Sequence, residues 1–165
     1  MSEDWPITDE GVLVIRKKYG IFDFKKLYSI GKVWAGDYLY DWHEQLYNDK
    51  VSSVGHEIEI EWVFEKKFSA FIKFGINLKI WILRMNPVSV DGKELEKGEA
   101  EITIDSKMMM DYKENWGKTK LTKFLRHVYI YLIKKREFER TAGELWKETY
   151  DLQDRIKEAL DQYTR

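Results

Sequence analysis

Acidic side chains are the first candidates for chemistry in this sequence, because they recur two residues apart. Glu57, Glu59 and Glu61 fall on one side of any extended segment that carries them, and so do Glu99, Glu101 and Asp105. Carboxylates gathered on one face could serve as general acid and base, or could hydrogen-bond a sugar. Lys73, Lys79 and Lys107 are interleaved at the same spacing, and that mixture reads as a solvated sheet face laced with cross-strand ion pairs. Metal chemistry has less to work with. His43, His56 and His127 share no ligand spacing, and there is no cysteine. His43-Glu44-Gln45-Leu46-Tyr47 opens like the helix of a zinc protease but carries Tyr47 where the second histidine must stand. Neither a Gly-x-Ser-x-Gly elbow nor a glycine-rich phosphate loop occurs. With no catalytic constellation and no cofactor site legible, the sequence argues against an enzyme.

Binding is better represented. Residues 117–136 hold Lys118, Lys120, Lys123, Arg126, Lys134, Lys135 and Arg136, seven positive charges in twenty residues without one acid. Residues 137–165 then carry eight acids and five bases. The basic stretch could dock on nucleic-acid phosphates or on an anionic membrane surface. It could equally pair with the acidic sheet face or with a neighbouring subunit. Seven Trp, ten Tyr and eight Phe supply more ring surface than a domain of this size needs for its core. Trp81 falls among the polar positions of its segment. Together with Phe138, Leu145, Trp146, Leu152, Ile156 and Tyr163 it is a candidate contact residue.

The elements that must position these groups follow from periodicity. Residues 12–18 read as a short strand, and Asp23 as the N-cap of a helix over 24–46 whose stripe includes Leu27, Trp34, Tyr38 and Trp42. Residues 48–55 read as a loop. Residues 56–65, 70–83 and 99–108 alternate apolar and polar, as half-buried strands do. A short turn that sets Glu65 against Ser69 places Ile60 opposite Phe74 and Glu61 opposite Lys73. Val90-Asp91-Gly92-Lys93 is a type I′ turn signal. That turn leaves the next pair of strands out of phase unless one extra residue, at Gly98 or around Pro87, forms a bulge that restores Ile82 opposite Ile102. After a connection over 111–118, a helix over 119–136 carries Leu121, Phe124, Leu125, Val128 and Leu132 on one face. From Phe138 the spacing 4-3-4-3 continues through Ala142, Leu145, Thr149, Leu152, Ile156, Ala159 and Tyr163, a heptad-like seam out of phase with the first stripe. A kink or break is expected near 134–137.

The 165 residues carry 28 Lys+Arg against 29 Asp+Glu, a net charge of −1, so any pull toward polyanions must be local. The acidic Met1-Ser2-Glu3-Asp4-Trp5-Pro6 start lacks the apolar run of a signal peptide, and lysines interrupt Phe68–Met85, so no transmembrane segment is expected and the cytoplasm is the default compartment. The fold expected is a single α+β domain over 1–165. A curved antiparallel sheet of three to four strands packs its Ile/Phe/Trp face against helices 24–46 and 119–136, with a long C-terminal helical segment beyond.

Four short runs carry a resemblance: Glu57–Trp62, Gly98–Ile104, Asp111-Tyr112 with Trp116, and Lys123–Arg126 with Tyr129. In these the chain resembles a family of small uncharacterised archaeal proteins, over about residues 56–136. The resemblance implies an archaeal source and a shared scaffold; the family has no assigned activity, so no functional residue is carried over. The function expected is a non-catalytic protein-interaction or assembly protein, contacting itself or another protein through the C-terminal helices. The alternatives are a helix-grip-like carrier of a small hydrophobic molecule between the sheet and helix 24–46, and a peripheral nucleic-acid or membrane-surface binder through 118–136.

Overall fold

In the computed structural model, residues 3–7, 11–113, 118–129, 131 and 135–161 are described. The strands are β1 (Glu3–Pro6), β2 (Leu13–Phe22), β3 (Asp41–Ser52), β4 (Gly55–Lys67), β5 (Ile72–Val90) and β6 (Lys93–Met110). The helices are α1 (Phe24–Tyr38), α2 (Lys120–Val128) and α3 (Lys135–Asp161). The six strands form one antiparallel sheet. β3, β4, β5 and β6 lie side by side in chain order, and β2 and β1 share the free side of β6, one beyond the other. The α+β class stands, but the sheet is larger than the three to four strands expected.

The alternating segments bury the residues their period selects. Ile58, Ile60, Trp62 and Phe64 on β4, Ile72 to Ile82 at every second position on β5, and Ala100, Ile102, Ile104 and Met108 on β6 all face one side and are buried. Each such side chain stabilises the fold by about 1.5–3 kcal/mol relative to exposure. α1 and α3 cover that side. Trp34 of α1 packs edge-on against Phe64 at 5.3 Å, and Leu145, Leu152 and Ile156 of α3 join the same cluster.

Two elements differ from those the sequence leads one to expect. The helix over 24–46 ends at Tyr38. Leu39 takes the left-handed conformation at φ 60°, the Tyr40 N–H closes on the Ala35 carbonyl at 2.8 Å, and the chain leaves as β3. Trp34, Tyr38, Trp42 and Leu46 recur every fourth residue, which suits a helix. A spacing of four is even, so it also suits a strand up to Glu44; beyond that β3 shifts register, which leaves Trp42 opposite Phe64 and Leu46 opposite Glu61. The loop expected at 48–55 is a continuation of β3 and a tight turn at Ser53-Val54.

The β4–β5 register is also different. Ile60 pairs with Ile80 and Glu61 with Lys79. The connection bends at Phe68–Phe71, later than the short turn expected, and the six-residue difference is even, so every face is unchanged. Between β5 and β6 the bulge exists, but its extra residue lies on β5, at Arg84-Met85 opposite Gly98, and it brings Ile82 opposite Ala100 rather than Ile102. Gly98 has no room for a side chain: a Cβ there would stand 2.9 Å from the Leu83 carbonyl oxygen. β2 shifts register on the other side of the same point, between Lys17 and Gly20. Two bulges therefore flank Gly98, and such insertions bend and twist a strand locally.

α1 approaches β4 so closely that a Cβ on Gly31 would sit 2.6 Å from the Trp62 ring, whereas one on Gly36 would meet nothing within 4 Å. Gly31→Ala is therefore expected to destabilise by about 1–3 kcal/mol through overpacking, despite the better helix propensity of Ala. Gly36→Ala should stabilise by up to about 1 kcal/mol. Denaturant midpoints of the two variants should move in opposite directions.

Asp23 caps α1 by accepting from the Lys26 N–H at 2.9 Å, with the Lys93 ammonium 3.3 Å away. Burial alone raises its pKa, but that hydrogen bond and the lysine outweigh it and hold the carboxyl below its ordinary value. A lowered carboxylate pKa stabilises the fold above the ordinary range, and the contribution is lost as pH falls through the folded value. Asp23→Ala should cost about 1 kcal/mol near neutrality. The gap in melting temperature between it and the wild type should close between about pH 6 and pH 2.

Candidate functional site

The side of the sheet away from the helices is open. Cross-strand ion pairs lace it: Glu61 with Lys79 at 2.7 Å, Glu65 with Lys73 at 2.6 Å, Arg16 with Glu101 at 2.7 Å, and Arg84 with Glu99. Of the carboxylates that invited an acid–base reading, Glu61, Glu99 and Glu101 are thus paired with cations on a wet surface. Trp81 lies among them, about half exposed, and donates its Nε1–H to Glu57 at 3.2 Å. With Tyr19, Leu83, Arg16 and Lys18 it lines a shallow groove of about 530 Å³.

A second polar cluster is closed. Parity puts Lys66 on the dry side of β4, opposite Phe74. Its ammonium meets Glu148 of α3 at 2.7 Å, and the other oxygen of Glu148 accepts from the Tyr40 hydroxyl at 2.5 Å. The Glu148 carbonyl accepts from Trp34 Nε1–H at 3.2 Å. Burial, then the Glu148 hydrogen bond, pushes the Tyr40 pKa far up, so Tyr40 stays a donor. The Thr149 and Ser106 hydroxyls are hydrogen-bonded at 2.9 Å in the same buried layer, while Thr149 donates to the Leu145 carbonyl at 2.7 Å. Sequence reading missed Glu148, although it stands three residues after Leu145 and four before Leu152, on the flank of the seam. The cluster sets how α3 lies on the sheet.

The third place is α2, and it is built inside out. Thr119 caps it by accepting from the Thr122 N–H at 3.2 Å, and the Thr122 hydroxyl completes the capping box. Its strong amphipathy argued for an apolar face laid on the sheet. The opposite holds: Leu121 is 67 % exposed, Phe124 64 % and Leu125 45 %, while Arg126 is 8 % exposed. The inner side is held by specific contacts. The Arg126 guanidinium faces the Asp111 carboxylate at 3.6 Å, and Tyr129 meets Phe71 edge-on at 6.0 Å. Asp111, just after β6, takes the left-handed conformation, and its N–H donates to the Phe71 carbonyl at 2.8 Å.

The candidate residues named from sequence therefore separate. Arg126 is buried, and its guanidinium faces Asp111 rather than solvent. Lys118, Lys120, Lys123, Lys135 and Arg136 are exposed; Lys134 lies outside the described residues. Leu145, Leu152 and Ile156 are buried in the chain's own core, so the seam packs within the chain. Phe138 is half-buried, packs edge-on against Trp5 at 5.4 Å and, with Trp146, lines a groove of about 270 Å³. Trp146 stays exposed; Tyr163 and Trp116 lie outside the described residues. Leu121, Phe124 and Leu125 are the surface residues that sequence reading took for core. The signal that could have flagged them is Arg126 two residues from Phe124, in a helix otherwise rich in exposed-type lysines.

Among the described residues no group of three His, Asp or Glu is placed to hold a metal ion, and no helix is long and apolar enough to cross a membrane. No family model matches the chain, and no curated protein matches it either.

Removing one member of a buried ion pair costs about 3–5 kcal/mol. Asp111→Asn should therefore release α2 locally. Its amides from Lys123 to Val128 should exchange at least about tenfold faster, while those of β4 to β6 keep their protection. Equal protection in the variant would show that the Arg126–Asp111 contact does not hold the helix.

Proposed function

We propose that this is a non-catalytic docking protein, and that its contact surface is the outward stripe of α2. One observation supports the reading above the others: a helix whose exposed side carries Leu121, Phe124 and Leu125 while its buried residue is Arg126. Covering a Leu or Phe is worth about 1.5–3 kcal/mol, so a fold that holds three of them toward water forgoes that gain unless a partner provides the cover. The partner class first expected, another protein or a second copy of this chain, stays within the proposal. The surface moves from the seam of α3, which is used up in the core, to α2.

A carrier with its pocket between the sheet and α1 is less favoured. Leu27, Trp34, Trp62 and Phe64 fill that layer with side chains that are all at most 1 % exposed. The open groove beside Trp81 lies on the other side of the sheet. A cytoplasmic location is part of the proposal.

Sedimentation at high micromolar concentration and the fluorescence of an apolar dye test the reading together. The wild type should self-associate weakly and enhance the dye, because its own α2 is the nearest available cover. Phe124→Glu should reduce both. A variant indistinguishable from the wild type in both measurements would overturn the proposal.

A further inference from the structure

We infer that the surface α2 is built to meet is an anionic lipid bilayer, with Leu121, Phe124 and Leu125 inserted at the interface and Lys118, Lys120 and Lys123 among the headgroups. This rests on the reading of α2 as the contact surface. Three features of the helix fit a bilayer, and the second of them counts against nucleic acid.

The first is charge. From Lys118 to Val128 there is no acid, and Lys118, Lys120 and Lys123 are all exposed. Lys120, Lys123 and His127, spaced three and four apart, form a stripe directly beside Leu121, Phe124 and Leu125. Lysines flanking a short apolar stripe are the pattern of helices that lie in the plane of an anionic membrane. The second is the apolar stripe itself. Nucleic-acid phosphates would be served by the lysines and would leave two Leu and one Phe in water. The third is the neighbourhood. Tyr131, 71 % exposed just beyond the helix, is an amphipathic ring of the kind that sits at headgroup level, and Lys135 and Arg136 at the start of α3 are exposed cations. Phe138 lines a groove with Tyr129 and Phe71 as well as the one with Trp5 and Trp146, so aromatic surface continues away from α2.

The inward contacts make the helix ready to bind. Arg126 facing Asp111 and Tyr129 against Phe71 keep it folded on the domain with its apolar stripe already outward, so insertion needs no coil-to-helix step. Net charge near zero confines the attraction to this end of the molecule.

The test is co-sedimentation of the full chain with vesicles of phosphatidylcholine alone and of phosphatidylcholine with about 30 % phosphatidylglycerol. Binding to the anionic vesicles should be at least about tenfold stronger, and should weaken as salt rises from about 0.05 M to about 0.5 M. Phe124→Glu and the double variant Lys120→Ala/Lys123→Ala should each reduce it about tenfold or more. Both sites are exposed, and an unchanged melting temperature confirms that each variant folds; Leu121→Gln is the milder second apolar variant. Three outcomes overturn the inference: no binding to either vesicle, binding that Phe124→Glu leaves intact, or tighter binding to a single-stranded oligonucleotide that Phe124→Glu does not alter. If vesicles are not bound while Phe124→Glu still reduces self-association and dye enhancement, the lipid partner is wrong and the docking surface stands. If Phe124→Glu changes none of these, both fall.

Discussion

A sheet with one dry face needs a cover, and the rest of this molecule is arranged to supply one. β4, β5 and β6 present about a dozen branched and aromatic side chains on a single side. Two helices complete the layer, and the contact that decides their distance is α1 on Trp62, where Gly31 lets the backbone ride directly over the ring. Trp34 then reaches Phe64, and α3 fills the space left beside it.

Covering the sheet left one polar problem. Strand parity forces Lys66 onto the dry side, where its ammonium must find an anion or lose a large part of its hydration energy. Glu148 answers it, and Tyr40 satisfies the second carboxylate oxygen. Because those partners come from β4, α3 and the short link between α1 and β3, the cluster ties the position of α3 along its axis to the position of the sheet. Apolar contacts alone, which are non-directional, would permit sliding.

α2 shows the reverse arrangement, and that contrast gives it functional weight. Where α3 buries its apolar seam, α2 buries an arginine and shows its leucines and phenylalanine. The domain contributes an acceptor at the end of β6, Asp111, and an aromatic edge, Phe71, and these hold the helix by its less apolar side. The core is complete without Leu121, Phe124 and Leu125, so their exposure is a property of the fold rather than a shortage of space.

Period-two alternation over 56–108 determined by itself which side chains of the central strands are buried, because parity is local and survives any even shift of register. It therefore selected Ile60, Phe74 and Ile102 correctly even though the partner of Ile60 is Ile80 and not Phe74. The Asp23 cap and the Asp91-Gly92 turn were legible for the same reason: each is a short-range contact written in adjacent residues. β3 was not, since a spacing of four fits both a helix and a strand, and the extra residue near Gln45 breaks the alternation that would have marked the strand. Nor was the direction in which α2 faces. Amphipathy states that two sides differ, and only the placement of Asp111 and Phe71 beside the helix decides which side is inner. Long-range pairing chose the register, the partner of Lys66 and the exposed stripe, because each depends on a residue many positions away that no local pattern can name.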